Sequence, residues 1–268
     1  MHLQGKTALI TGASRGIGRA IALELAHQQC RCLILVARNR DRLTEVAAVI
    51  EALGTQAVVL PLDLTQPISV HVAIAHAWRN HGPIDLLINC AGVSHQVPFL
   101  QSHLPQVEAE ISTNLVGLYA VTRLVARRMA AYRHGHIVNV SSLMGKVAAP
   151  TMATYSATKF AILGFSQALR GELAPYNVKV TTLLPTLTDT DMVRHFDWFR
   201  WVQPVTSEQV AKALVKGLKQ DSVEILVGWQ SYMAVLGDRV APRLVEKLVH
   251  WAAPKPQRQR LFNFGKSF

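Results

Sequence analysis

Short apolar runs rich in leucine or β-branched residues recur along the chain: "TALIT" (7–11), "CLILVA" (32–37), "AVVLPL" (57–62), "DLLIN" (85–89), "HIVNVS" (136–141), "VKVTTLL" (178–184) and "EILVG" (224–228). Most show little polar alternation, so both of their faces are set for burial, as in a parallel sheet covered by helices on either side. Segments of helical length and period separate most of them. The pattern predicts an α/β fold: a single Rossmann-type doubly wound domain, with a seven-stranded, mostly parallel sheet and helices on both faces. This alternation occupies 1–228, and 229–268 departs from it. There Leu236, Val240, Leu244, Leu248 and Trp251 fall at helical spacing, Arg239, Arg243 and Lys247 run beside them, and Pro242 is placed to start a second short helix. Such a helical extension suits packing on its own domain or on a partner subunit; contact with a membrane surface through 229–252 is the alternative. The basic tail "PKPQRQRLFNFGKSF" is expected to be mobile.

A length of 268 residues suits one α/β domain with a sizeable core. Half of the residues are hydrophobic, yet no run reaches the roughly 18 apolar residues of a membrane span. The start, "MHLQGKTALITG", leads into a strand-like run without a charged leader or a cleavage site. The expectation is a cytoplasmic protein, at most peripheral to a membrane. Three cysteines are too few and too scattered for a disulfide framework. The formal charge of +11, from 28 Lys and Arg against 17 Asp and Glu, raises three partners: nucleic acid, an anionic membrane or a phosphate-bearing cofactor. No nucleic-acid module accompanies the charge, so that partner is excluded, and no metal site is expected.

The first strand run passes directly into "TGASRGIG" (11–18) and then into a helical pattern. A pyrophosphate needs backbone N–H groups at a helix N-terminus and no side chain in its way, and Gly12, Gly16 and Gly18 can supply that geometry. At the first strand-to-helix turn of a parallel sheet the triplet is informative, where a lone one is not. The second strand run ends in "LVARNR", with Arg38 where an NAD-binding chain would carry an acid. Arg15 and Arg38 can clamp a 2′-phosphate, which favours NADP(H); ordinary solvated surface charges are the alternative.

Further along, "TYSATKF" (154–160) sets a tyrosine and a lysine four residues apart. On a helix they are neighbours, which fits a covered face as well as a proton donor with its helper. The chain also carries, in order, "DLT" (63–65), "NCAG" (89–92), "TNLVG" (113–117), "IVNVSS" (137–142), "YSATK" (155–159) and "LPTLTDT" (184–190). With the glycine loop these motifs resemble the short-chain dehydrogenase/reductase family over roughly 5–228. The resemblance implies an oxidoreductase acting on CH–OH donors, NADP(H) as cofactor, and a homodimer or homotetramer. It implies Asn114, Ser142, Tyr155 and Lys159 as catalytic residues. Tyr155 would donate the proton, Lys159 would lower the phenol's pKa, Ser142 would bind the substrate oxygen together with Tyr155, and Asn114 would hold a relay water. Cofactor contacts implied in the same way are Gly12, Ser14, Arg15, Gly16, Ile17 and Gly18 in the loop, Arg38, Asp63 and Leu64 beside it, and Asn89, Ala91 and Gly92. On the nicotinamide side Tyr155, Lys159, Pro185, Thr188 and Thr190 complete the set. Two positions depart from the family pattern: Cys90 replaces an asparagine and Thr186 replaces a glycine, which puts the fine geometry of the cofactor pocket at issue.

Residues 186–205 stand where the family has a mobile substrate lid. Phe196, Trp198, Phe199 and Trp201 fall within six positions of it, which suits a bulky or long-chain carbonyl or alcohol such as a 3-oxoacyl thioester, a steroid or a retinoid. Packing on the domain or at a subunit interface is the alternative for these aromatics. His95, just after "NCAG", stands near the expected pocket mouth, where a single histidine is more often structural.

Overall fold

The computed structural model describes residues 1–254, so all but the first residue, Pro254, of the tail expected to be mobile lies outside the described residues. Strand and helix alternate from β1 (Thr7–Thr11) and α1 (Gly16–His27) through β2 (Cys32–Ala37), α2 (Arg40–Ala52), β3 (Gln56–Pro61), α3 (Pro67–His81) and β4 (Leu86–Asn89). Then come α4 (Leu104–Ile111), α5 (Leu118–Tyr132), β5 (Gly135–Val140), α6 (Ala153–Leu173), β6 (Val178–Leu184), α7 (Ser207–Lys219) and β7 (Glu224–Leu226). A hairpin of α8 (Trp229–Val240) and α9 (Pro242–Ala252) follows, with Pro242 in the first turn of α9 as its ring geometry favours. The seven strands form one sheet in the order β3-β2-β1-β4-β5-β6-β7. Every pairing is parallel, so the expected sheet is found with no antiparallel strand.

The strands are apolar on both sides because each side meets its own helical layer. Ala8 and Ile10 of β1 pack with Leu33 and Leu35 of β2, Leu86 and Ile88 of β4, and the inner residues of α1, α2 and α7. The residues between them, Leu9, Ile34 and Leu87, point the opposite way and meet Val70 and Ile74 of α3 and Val121 and Val125 of α5. A period of two along each strand thus fills two cores. At roughly 25 cal/mol per Å² of apolar surface removed from water, these layers dominate the stability of the domain. None of the described helices is long and apolar enough to cross a membrane.

A buried histidine inside this core is held neutral. His136 on β5 is 2% exposed, and its Nε2 lies 2.9 Å from the Thr181 hydroxyl while Nδ1 has no partner. Burial, helped by the Lys179 charge, pushes its pKa down from 6.5 to about 4. Between those values the unfolded chain binds more protons than the folded one, so stability falls as the pH drops through that window. The loss in full is about 3 kcal/mol. Urea unfolding measured on both sides of the window is expected to show this decline, and His136→Gln is expected to remove most of it. An identical decline in the variant would take His136 out of the acid response.

Candidate active site

The crevice lies where the sheet order reverses. The chain leaves β1 toward β2 but leaves β4 toward β5, so the connections diverge above the C-terminal ends of two neighbouring strands. Thr11, the last residue of β1, ties these ends together: its hydroxyl accepts from the backbone N–H of Cys90 at 3.0 Å and of Ala91 at 3.1 Å. Gly12 follows with φ +73, and a Cβ there would lie 2.9 Å from the Ala91 backbone. A Cβ at Gly18 would overlap the Gly12 carbonyl. Side chains at these two positions are excluded, which leaves the backbone at the start of α1 bare toward the crevice.

A cavity of about 510 Å³ runs from this loop to the C-terminal hairpin. It is lined by Gly12, Ser14, Arg15, Gly16, Ile17 and Gly18 at one end, by Arg38, Asp63 and Leu64 beside them, and by Ala91 and Gly92 on the β4 side. Ser142, Tyr155, Lys159, Pro185, Thr188 and Thr190 line its middle. Two predicted residues do not line it. Asn89 is buried in the sheet, where its amide donates to Thr122 Oγ1 and Asn139 Oδ1, both at 2.8 Å, so its side chain cannot meet a ligand. Asn114 sits in a π-helical turn (Ser112–Gly117) between α4 and α5, accepts from Val93 N at 2.8 Å, and donates to Val93 O at 2.9 Å and Thr158 Oγ1 at 3.2 Å. Its side-chain amide is engaged as a brace between the β4 exit and α6.

Tyr155 and Lys159 are one turn apart on α6, with Lys159 Nζ 5.4 Å from the phenol ring centre and donating to Val140 O at 3.0 Å. Both lie among protein atoms, and burial acts on both. It pushes the Tyr155 phenol up to about 12, against the pull of the neighbouring Ser142 hydroxyl, and it pushes Lys159 down to about 8. The shift at Tyr155 is opposite in direction to the one expected from a nearby lysine. Desolvation of the phenolate is the largest influence on the phenol, and the Glu110 charge adds to it. Ser142 accepts from Met144 N at 3.1 Å, which leaves its own O–H free to donate into the cavity. The adjacent Ser141 instead donates to the Lys159 carbonyl at 2.8 Å and takes no such position.

The two departures from the family pattern are absorbed locally. Cys90 keeps the loop shape through its backbone bond to Thr11, and burial holds its thiol neutral with a pKa of about 12. Thr186 rests near Gly228, whose φ is +83 and where an added Cβ would lie 3.3 Å from the Thr186 methyl. The glycine that is absent at one position stands across from it at the other.

Several site residues escape the sequence reading. Arg42 in the first turn of α2 lines the cavity beside Arg15 and Arg38. Asp191, in the segment after β6, gathers Arg42 at 3.5 Å, Arg15 at 3.8 Å and Arg194 at 3.0 Å around one carboxylate. Asp63 is held below the usual carboxylate range by the Thr65 N–H at 2.9 Å, with help from the Thr65 hydroxyl and from Arg38. Near Tyr155 the buried Glu110 pairs with the backbone N–H and ring of His95, and burial raises its pKa. Spacing could have flagged Arg42, since "RNRDR" places it one turn beyond Arg38. Nothing in the local pattern marks Asp191 or Glu110.

Residues 6–199 match the family model of short chain dehydrogenases. A ketoacyl reductase, HetN, of Nostoc sp. is 30% identical over 259 residues, which cover 93% of this chain and 90% of that protein. The 3-ketodihydrosphingosine reductase of Bos taurus is 35% identical over 248 residues, covering 87% of this chain and 74% of that one. A solved short chain dehydrogenase from Burkholderia cenocepacia in complex with NADP has the same fold, with a TM-score of 0.82 at 28% identity over 93% of this chain and 99% of its own. The chain belongs to the short chain dehydrogenase family.

The arginine cluster yields a quantitative expectation. A lost charge-assisted hydrogen bond of about 1.5–3 kcal/mol is at least a tenfold change in affinity. Arg42→Ala and Arg38→Ala are each expected to weaken 2′,5′-ADP by roughly tenfold in calorimetry, while 5′-AMP stays within about twofold. Equal losses for both nucleotides would show that neither arginine reads the 2′-phosphate.

Proposed function

We propose that this chain is an NADPH-dependent reductase that interconverts a ketone and a secondary alcohol on a long-chain or otherwise bulky apolar substrate. The observation that carries this reading is the single cavity joining the glycine loop and its arginines to Tyr155, Lys159 and Ser142, and then to the aromatic lid. A dinucleotide fits the residues present: Gly12 and Gly18 leave the approach to α1 bare, and Arg15, Arg38 and Arg42 offer cations at the adenosine end. When held by these residues, the cofactor would supply hydride-transfer chemistry at the carbonyl. The protein's own residues handle the proton and the developing charge.

Ser142, with its O–H free, donates to the substrate oxygen and orients it beside the phenol. Tyr155 gives its Oη proton to that oxygen as negative charge develops there. A phenol at about 12 is a strong enough base to keep its proton until an alkoxide forms, and a weak enough acid to need help in releasing it. Lys159 provides that help as a cation at Nζ, facing the ring. Glu110 and the Asn114 brace act through position: the first adds negative potential at Tyr155, and the second fixes the turn of α6 that carries it.

The far half of the cavity sets the substrate class. Phe196, Trp198 and Phe199 line it together with Met144, Met192 and Val202, and few polar groups interrupt them. An apolar chain matches such a wall. Named relatives act on ketoacyl and 3-ketodihydrosphingosine compounds, which are lipid-like carbonyls of this kind. The family's habit of forming homodimers or homotetramers extends to this chain as part of the same proposal.

NADPH oxidation against a panel of short ketones, 3-oxoacyl thioesters and long-chain 3-keto compounds tests the reading. Rates should rise with chain length, and Tyr155→Phe should lower turnover by at least roughly 100-fold with little change in cofactor binding. Unchanged turnover in that variant would remove Tyr155 as proton donor. The pH dependence is a separate check. Lys159 loses its charge as the pH climbs through about 8, so reduction should decline on that alkaline limb, and Lys159→Arg should push the limb upward because a guanidinium stays charged. A limb that stays in place in Lys159→Arg would mean that another group controls it.

A further inference from the structure

The C-terminal hairpin turns two apolar stripes away from its own domain. On α8, Trp229, Tyr232, Met233, Leu236 and Val240 recur at helical spacing along one face, each between 58% and 78% exposed. On α9, Leu244, Leu248 and Trp251 do the same between 51% and 65%, and no residue of that helix is fully buried. Trp201 of the lid, also mostly exposed, stacks on Trp251 with ring centres 5.3 Å apart. Nine large apolar side chains on one surface exceed what scattered surface hydrophobics explain. The opposite sides of the same two helices face the cavity through Gln230, Ala234 and Val249. One layer of helix thus separates the substrate cavity from the outer apolar face.

Charge identifies what that face meets. Residues 229–268 carry seven cations (Arg239, Arg243, Lys247, Lys255, Arg258, Arg260 and Lys266) against two acids, Asp238 and Glu246, which is +5 of the chain's +11. Four of those cations lie in the 16 residues that continue the chain beyond the end of α9, without an acid among them. Aromatic and aliphatic residues between Lys and Arg on a helix lying flat are the physical requirements for an anionic lipid surface. A second copy set against this face would bring Arg239, Arg243 and Lys247 toward like charges, which Asp238 and Glu246 offset only in part.

We propose that the outer face of α8 and α9 docks on an anionic bilayer surface, so that the cavity behind it receives a long-chain carbonyl from the membrane. The delivery step rests on the reductase reading above, whereas the docking itself does not. The full chain is therefore tested by co-sedimentation with vesicles of phosphatidylcholine, with and without phosphatidylglycerol, and separately by NADPH oxidation with a short water-soluble ketone. Binding is expected only to the phosphatidylglycerol vesicles, and added salt should weaken it. Leu236→Glu/Leu248→Glu should reduce binding by roughly tenfold or more, and Arg243→Glu/Lys247→Glu should reduce it comparably. Neither pair lines the cavity, so turnover of the short ketone should be retained in both.

Failure of the wild-type chain to sediment with anionic vesicles would overturn the proposal. So would binding that survives both double variants, or a wild-type dimer that falls apart in Leu236→Glu/Leu248→Glu, because the face would then belong to a second copy. Vesicle binding without any ketone turnover would leave the docking standing and sink the reductase reading instead.

Discussion

The close contact between the ends of β1 and β4 sets the geometry of everything above the sheet. Thr11 holds the Cys90 and Ala91 backbone with one hydroxyl, and Gly12 lets the two segments approach to a distance that no side chain would allow. Because β1 and β4 are also the strands at which the sheet order reverses, this contact forms the floor of the crevice. A looser junction would tilt the start of α1 away from the cavity and carry Ala91 and Gly92 out of its wall. The constraint is local and steric, yet it shapes a cavity lined by widely separated segments of chain.

Electrostatics inside the crevice follow from the same enclosure. Tyr155 and Lys159 could have been read as a pair in which the cation lowers the phenol's pKa, but burial moves each toward its neutral form. The Coulomb attraction between phenolate and ammonium exists only when both are charged. Removal from water makes that state costly for each separately. The pair is thus balanced: a neutral phenol that keeps its proton beside a lysine that loses its charge near pH 8. Negative charge brought beside the pair would shift this balance, since a protonated Lys159 would then have something to neutralise.

Most of the fold is legible in the sequence because burial on two faces leaves a plain signal. The runs at 7–11, 32–37 and 178–184 coincide with β1, β2 and β6, and the others differ from the observed strands by a residue or two at their ends. The glycine loop is legible for a related reason, since its spacing is dictated by contacts along a single turn. The side-chain partners of Asn89, Asn114 and Asp191 were not legible, because they lie far away in sequence. Asn89 meets Thr122 and Asn139, Asn114 meets Val93 and Thr158, and Asp191 meets Arg15 and Arg42. A pattern along the chain carries no information about which distant groups will saturate an amide. The shift of Tyr155 was hidden for the same reason, as it depends on how deeply the crevice is closed.

The 186–205 segment and the C-terminal hairpin are joined more closely than their sequence separation suggests. Gln230 of α8 donates to Trp201 O at 2.9 Å and accepts from Gln203 N at 3.2 Å, while Arg200 N donates to Ala252 O at 2.9 Å. On its other side the segment is held by Gln96, whose amide donates to Asp197 O and accepts from Asp197 N. Asp191, near its start, reaches the arginines beside the glycine loop. The segment therefore runs along the whole cavity, with a carboxylate among the cations at one end and the helical hairpin at the other. An anionic group entering among Arg15 and Arg42 would compete with Asp191 for the same guanidinium groups, at the end of the stretch of backbone whose other end carries the apolar wall.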